Sequence, residues 1–246
     1  VEIFNKKIIF FIPNKLIKWR VETLRTKEPE TLEWIDTFNK NEKIIFWDIG
    51  ANIGLYSIYN ALRNNNSLTI SFEPSTSNLR TLSRNIYLNN LQNKIKIFSL
   101  PLGNKENVFL NMKEKNFNEG GALNSFGVNY NFEGKSFKDE MNYDLFGTTI
   151  NFCLNRNFLD IPDYIKIDVD GIEHLILDGA NEFLKDKKIK SISVEINENF
   201  KEQFEKTLKI MEECDFSIKH KKRNDSLFQE NSKFSNLYNY IFEKKQ

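Results

Sequence analysis

The sequence predicts an α/β fold: an open sheet assembled from strand, loop and helix units. Three stretches carry that prediction. Residues 44–49 form an apolar run broken only by Asp48. Gly50, Asn52 and Gly54 follow at once, and then Leu55, Ile58, Tyr59 and Leu62 recur at helical spacing. Residues 68–72 form a second strand-like run, Leu68-Thr69-Ile70-Ser71-Phe72, ending at Glu73-Pro74. Residues 164–167 form a third, running into Asp168-Val169-Asp170-Gly171 before a helical stripe of Ile176, Ala180, Phe183 and Leu184. Open α/β sheets bind ligands at the carboxyl ends of their strands, and all three runs place a carboxylate there.

Taken in order, residues 1–4 and 7–12 are β-like runs around Asn5-Lys6 and predict a hairpin ended by Pro13. Leu16, Ile17, Trp19, Val21 and Leu24 are the apolar positions of a first helix. Glu28-Pro29-Glu30-Thr31 opens a second, because proline suits a first helical turn. Leu32, Ile35 and Phe38, with Trp34 as a further candidate, form its inner face. This block, residues 1–40, is expected to cover one end of the core, with a lid over the ligand as the alternative. Residues 41–246 are expected to form the main domain.

After residues 64–67, a polar turn, and the strand 68–72, Ser75 is placed to cap a helix with Leu79, Leu82 and Ile86 facing the sheet. Residues 94–99 read as a further strand and 108–110 as a short one. From 111 to 158 the periodicity fades among five glycines and many aromatic residues. A loop region of that length in a compact domain predicts a lid or small substrate-binding subdomain. Residues 189–196 predict the next strand. Phe200, Phe204, Leu208 and Met211 mark the following helix. Residues 217–219 and 236–242 are expected to close the sheet as an antiparallel pair joined by a polar loop over 220–235.

The chain of 246 residues is 40% hydrophobic with 22 Phe, enough for a bulky core. Lys and Arg total 35 against 34 Asp and Glu, so no electrostatic case for nucleic acid follows. The run Lys219-His220-Lys221-Lys222-Arg223 is expected to be a solvated loop. Cys153 and Cys214 are too few and too separated for a disulfide framework or zinc site, and no metal is expected. A reducing cytoplasm is the expected setting. No apolar run approaches membrane-spanning length, and residues 1–4 lack a secretory leader pattern.

The loop chemistry narrows the ligand. A dinucleotide loop favours G-x-G-x-x-G. Here Asn52 replaces the middle glycine, and Asp48 would repel a pyrophosphate. The string Asp48-x-Gly50-x-Asn52-x-Gly54 resembles the S-adenosylmethionine loop of class I methyltransferases. Glu73 lies 25 residues beyond Asp48, near the spacing at which an acid in a βαβ unit accepts hydrogen bonds from ribose hydroxyls. The loop 100–104, with Leu102, would border the adenine in this architecture.

Together with Glu28-Pro29-Glu30-Thr31, Phe72-Glu73-Pro74, Asn89-Asn90-Leu91 and Ile165-Lys166-Ile167-Asp168-Val169-Asp170-Gly171-Ile172-Glu173, these residues resemble the FkbM family of S-adenosylmethionine-dependent methyltransferases. The resemblance runs from about residue 25 to residue 200. Family members commonly carry Glu where this chain has Asp170, and an acidic A-L-S-D where it has Pro101-Leu102-Gly103-Asn104.

The resemblance implies a doubly wound, mostly parallel seven-stranded Rossmann-like sheet with a final antiparallel hairpin. It implies S-adenosylmethionine as cofactor and O-methylation of a hydroxyl on a sugar, glycan, glycolipid or other natural product. Asp48, Gly50, Asn52 and Gly54 would then hold the amino-acid end of the cofactor. Glu73 would hold its ribose, and Asp168 would stand near the methionine moiety or the acceptor. Asp168, Asp170, Glu173 and His174 are the candidate bases, Asp168 first among them. Asp168 and Asp170 would share a face if the strand continued. Two other readings stay open here: a nucleotide-sugar glycosyltransferase using Asp168-Val169-Asp170 as a D-x-D motif, and a binding protein without catalysis.

Overall fold

The computed structural model describes residues 1–136, 138–223 and 234–245. The first block comprises β1 (Glu2–Ile3), β2 (Lys6–Lys7), α1 (Lys15–Glu22) and α2 (Pro29–Asp36). Then follow β3 (Ile44–Ile49), α3 (Leu55–Arg63), β4 (Ser67–Phe72), α4 (Thr76–Leu88) and β5 (Ile95–Phe98). An insertion carries β6 (Val108–Glu114), β7 (Ser125–Phe126), β8 (Met141–Gly147) and α5 (Ile150–Asn155). The chain finishes with β9 (Tyr164–Ile167), α6 (Glu173–Asp178), β10 (Ser191–Asn197), α7 (Lys201–Glu213), β11 (Phe216–Lys222) and β12 (Leu237–Lys244).

Seven strands form the main sheet in the order β11-β12-β10-β9-β3-β4-β5. The five from β10 to β5 are parallel, and β12 runs antiparallel between β10 and β11. β3 is buried along its whole length, which is why it reads as a continuous apolar run rather than an alternating one. Its odd and even residues feed different cores. Ile44 and Phe46 pack with Trp34, Phe38, Ile58 and Leu82 on one face. Ile45, Trp47 and Ile49 pack with Met112, Ile176 and Leu177 on the other.

The helix starts are set by the chemistry the sequence shows. Asn14 caps α1 by accepting from the Ile17 N–H (2.9 Å), Ser75 caps α4 (3.3 Å), and Pro29 occupies the first turn of α2. The N-terminal hairpin is shorter than expected. Phe4 and Asn5, both at positive φ, make the turn, so β2 ends at Lys7. Residues 8–12 instead lie along α4. Asn89 and Asn85 accept from the Ile9 and Phe11 N–H groups (2.9 and 2.8 Å), and Asn89 Nδ2 donates back to the Ile9 carbonyl (2.7 Å). Asn89 of the family-like Asn89-Asn90-Leu91 string therefore anchors the first block together with Asn85.

Residues 111–158 are more ordered than their fading periodicity predicts. β6 continues to Glu114 and pairs with both β7 and β8 in a separate antiparallel sheet. At the other end, Lys219 to Lys222 belong to β11 rather than to a loop. Their amines pair with Glu243, Glu198 and Glu33. Of the linker expected over 220–235, residues 224–233 lie outside the described residues. Both cysteines are buried and free. No helix among the described residues is long and apolar enough to cross a membrane.

Candidate active site

β3 is flanked by β4 on one side and β9 on the other, so the crossovers leave it in opposite directions. The crevice above the carboxyl ends of β3 and β9 is the topological switch point where such sheets bind ligands. A cavity of about 730 Å³ opens there. Gly50 to Ile53 of the first loop form part of its floor, with Lys166 and Asp168 beside them.

The loop after β3 is held in a shape that few residues adopt. Gly50, Asn52 and Gly54 have φ of +84°, +51° and +87°. Asparagine is among the few side chains that tolerate this region, which accounts for Asn52 between the two glycines. A Cβ on Gly50 would lie 1.9 Å from the Asp168 carbonyl oxygen, so the loop and the end of β9 are in backbone contact. A Cβ on Gly54 would meet Leu82 at 2.5 Å. The Gly50 and Ala51 N–H groups donate to the Phe72 carbonyl at 3.0 and 2.9 Å.

The candidate residues separate into three places. Gly50, Asn52, Asp168 and Asp170 line the cavity. Asp48 is wholly buried behind the loop, where it accepts from Ser57 Oγ (2.5 Å), itself bonded to Ser71. Burial pushes the Asp48 carboxyl up, while the Lys166 ammonium opposes that rise. Glu73 is also buried, accepting from the Asn52 N–H (2.7 Å) and the Ser75 N–H (2.9 Å). Burial raises its pKa to about 8 against those donors. Leu102 lines a separate pocket of about 50 Å³ beside Phe72, Pro74 and Phe126. Gly50 borders both spaces. The smaller has room for no more than a water or two, and Ser125 and Phe126 of β7 are part of its lining.

Asp168 and Asp170 do not share a strand face. β9 stops at Ile167, and Asp170 sits at φ +66°. Asp170 turns to the insertion and accepts from the Leu123 N–H (2.6 Å) and the Asn124 N–H (3.3 Å). Burial, with the Asp168 charge beside it, raises its pKa to about 6. Glu173 accepts from the Val169 and Gly171 N–H groups and from Gln203, so it ties down the turn after β9 away from the cavity.

His174 also stands away from the cavity. Its ring packs edge-on to Phe200, and burial lowers its pKa to about 4. A histidine held neutral against an aromatic ring is a packing residue. We expect His174→Leu to keep kcat within about 2-fold, with no loss of a titration step near the ordinary histidine value of roughly 6.5. A fall of about 100-fold, the size expected for a lost general base, would restore His174 to the mechanism.

The structure adds residues whose roles the sequence did not disclose. Lys166 is buried and donates to Asp168 (2.8 Å), with its ammonium 4.9 Å from the Tyr56 ring centre. Tyr56 OH donates to Glu28 (2.7 Å), and Lys27 pairs with the same carboxylate. Glu195, on β10, completes the group. Oxygens of Glu28, Asp168 and Glu195 lie within 4.8 Å of one another. The lysines hold the Asp168 and Glu28 carboxyls below their ordinary values, against the cost of burial. Glu195 rises well above its own, through burial and the two neighbouring carboxylates. A charged residue set inside an apolar strand, as Lys166 and Glu195 both are, is the signal that marks them.

A family model, Methyltransferase FkbM domain, matches residues 48–218, well over half of the chain. The chain belongs to the FkbM methyltransferase family. Its cofactor is S-adenosylmethionine, and the D-x-D glycosyltransferase reading falls with that assignment. No curated protein matches the sequence. Among solved structures, the methyltransferase FkbM from Methylobacillus flagellatus KT is 16% identical with a TM-score of 0.52, over 82% of this chain. The chain spans only 43% of that protein's length. Precorrin-6y C5,15-methyltransferase from Geobacter metallireducens GS-15 is 15% identical, covering 96% of this chain and 94% of its own, at a TM-score of 0.49. The M1A22 tRNA methyltransferase TrmK of B. subtilis is 10% identical, over 88% of this chain and 66% of its own, at 0.47.

The residues present fit this cofactor. Asn52 Oδ1, in the loop on the cavity floor, is buried without a hydrogen-bond partner among the described residues and is an acceptor suited to an ammonium. The carboxylates beyond it suit a ligand that carries positive charge. When bound, the cofactor supplies an electrophilic methyl group on a sulfonium.

Proposed function

We propose that the protein transfers a methyl group to a hydroxyl of a small molecule, and that the acceptor is a sugar, glycan, glycolipid or related natural product. The observation that carries this reading is the composition of the large cavity. Its volume of about 730 Å³ is in the range of pockets that enclose small ligands. Trp19, Tyr56 and Tyr238 offer flat apolar surfaces, while Glu28, Asp168 and Glu195 offer acceptors for hydroxyl protons. Aromatic faces beside convergent carboxylates suit a polyhydroxylated ring better than a phosphate chain. The near-zero net charge gives a polyanion little long-range attraction.

Alignment of acceptor, methyl group and leaving sulfur supplies much of the acceleration in such a displacement, in favourable cases roughly 7–11 kcal/mol. The Gly50–Gly54 loop bounds one end of that line, and the carboxylates of Asp168, just after β9, and Glu195, within β10, bound the other. The decisive experiment transfers isotope-labelled methyl groups from S-adenosylmethionine to fractionated extracts, with saccharide, lipid and RNA fractions assayed separately. Label in an O-methyl ether of a saccharide or glycolipid is the expected result. Label confined to RNA, or to nitrogen or carbon of the product, would overturn it.

Glu73 gives a second check on the cofactor side. We place the ribose hydroxyls against Glu73, whose carboxylate also anchors the loop through the Asn52 N–H. Losing a hydrogen-bond partner at a buried polar group costs about 1–3 kcal/mol. Glu73→Ala is therefore expected to weaken cofactor binding roughly 10- to 100-fold by calorimetry, since about 1.4 kcal/mol is one decade. An unchanged Kd would remove Glu73 from the site.

A further inference from the structure

We propose that Glu195 is the group that takes the acceptor's proton, and that the positive charge of the bound cofactor prepares it by displacing a proton from its carboxyl. The proposal rests on the reading of the cavity as the place of methyl transfer, and begins from an imbalance among the three carboxylates. Glu28 has Lys27 and the Tyr56 hydroxyl as partners. Asp168 has Lys166. Glu195 stands within 4.8 Å of both and has no ion-pair partner among the described residues.

The surrounding elements offer it little relief. From the turn after β9, Asp168 and Asp170 add negative charge near it, and Lys166 is already engaged with Asp168. From the linker before α2, Glu28 adds another negative charge, while the Lys27 ammonium is shared with Glu28. Lys27 and Lys166 each pair with another acid, so Glu195, the member without an ion-pair partner, is the one placed to hold a proton. Burial and the neighbouring Asp168 and Glu28 carboxylates raise the Glu195 pKa, which favours its acid form in the free protein.

A cation entering the cavity changes that balance. The charge of the sulfonium favours an ionised carboxyl beside it, so a proton leaves Glu195 for solvent on binding. During transfer the acceptor oxygen–carbon bond forms and the carbon–sulfur bond breaks, its electron pair staying on sulfur. The acceptor's hydroxyl proton passes to the Glu195 carboxylate. The sulfur is then neutral and Glu195 is protonated, so the total charge in the cavity is the same before and after. Asp168 and Glu28, each already paired with a lysine, are weaker proton acceptors than the unpaired member. Together with Lys27 and Lys166 they act as positioning residues.

The test is proton release on binding, measured by calorimetry of the full chain at pH 7 in buffers of different ionisation enthalpy. Wild type should release close to one proton per S-adenosylmethionine bound. S-adenosylhomocysteine, whose sulfur is neutral, should release far less. Glu195→Gln, of nearly the same shape, should abolish the release while still binding cofactor, and His174→Leu, away from the cavity, should leave it in place. With a productive acceptor, Glu195→Gln should lower kcat by about 10²- to 10⁴-fold. Equal release with both ligands, release that persists in Glu195→Gln, or release lost in His174→Leu would each overturn the proposal. Because the release needs no acceptor, it separates this inference from the assignment of a hydroxyl acceptor.

Discussion

Gly50→Ala is expected to destabilise the protein by about 3–5 kcal/mol and to abolish measurable cofactor binding. Two costs combine. A left-handed backbone at a non-glycine residue costs roughly 1–2 kcal/mol. The added Cβ would also overlap the Asp168 carbonyl oxygen at 1.9 Å, a backbone atom that cannot move without shifting the end of β9. Gly50 borders both pockets, so the distortion falls at the centre of the site. Urea denaturation with calorimetry of the folded fraction checks both parts. Wild-type stability with wild-type affinity would show that the loop and β9 can separate freely.

The second large effect is expected at Lys166→Met. The lysine is buried, and it neutralises Asp168 directly and Asp48 and Glu28 at longer range. Removing one partner of a buried ion pair costs about 3–5 kcal/mol, because a charge is left without compensation. The pH dependence has a defined sign. The carboxylates raise the Lys166 pKa, so its contribution is complete below the ordinary lysine value and lost only as pH rises through the higher folded value. The Asp168 pKa is lowered, so its contribution is present above the ordinary carboxylate value and lost as pH falls through the lower folded one. Both are in place at pH 7. Without the lysine, Asp168 protonates more readily, so the deficit measured at pH 8 should shrink at pH 5. An equal deficit at both values would mean that Lys166 acts through packing alone.

Much of the fold was legible because a parallel sheet buried on both faces leaves a plain record. The strand-like runs that end in Asp48, Glu73 and Asp168 became β3, β4 and β9, and the helical stripes after them packed where their spacing placed them. The insertion was harder to read. β8 presents Asn142, Asp144 and Phe146 outward and only Tyr143 and Leu145 toward the core. The exposed pair of Phe109 and Phe146 breaks the alternation that identifies a half-buried strand.

The site was legible in part for a similar reason. Gly50, Asn52 and Asp168 announce themselves by loop chemistry. Glu28 and Glu195 meet only in three dimensions, one from the linker before α2 and one from the middle of β10. Asp170 misled the reading of a shared strand face because its left-handed backbone turns the chain away from β9.

The span shared with the family begins at Asp48, yet part of the cavity wall lies outside it. Trp19 and Glu28 precede that span, and Tyr238 and Asn239 follow it. On the proposed reading, the cofactor loop and the carboxylates Asp168 and Glu195 lie within the shared span, and the flanks furnish part of the acceptor wall. Selection can then redraw the flanks while the chemistry of transfer stays intact. Chimeras that exchange residues 1–40 between relatives should move acceptor preference without moving cofactor affinity.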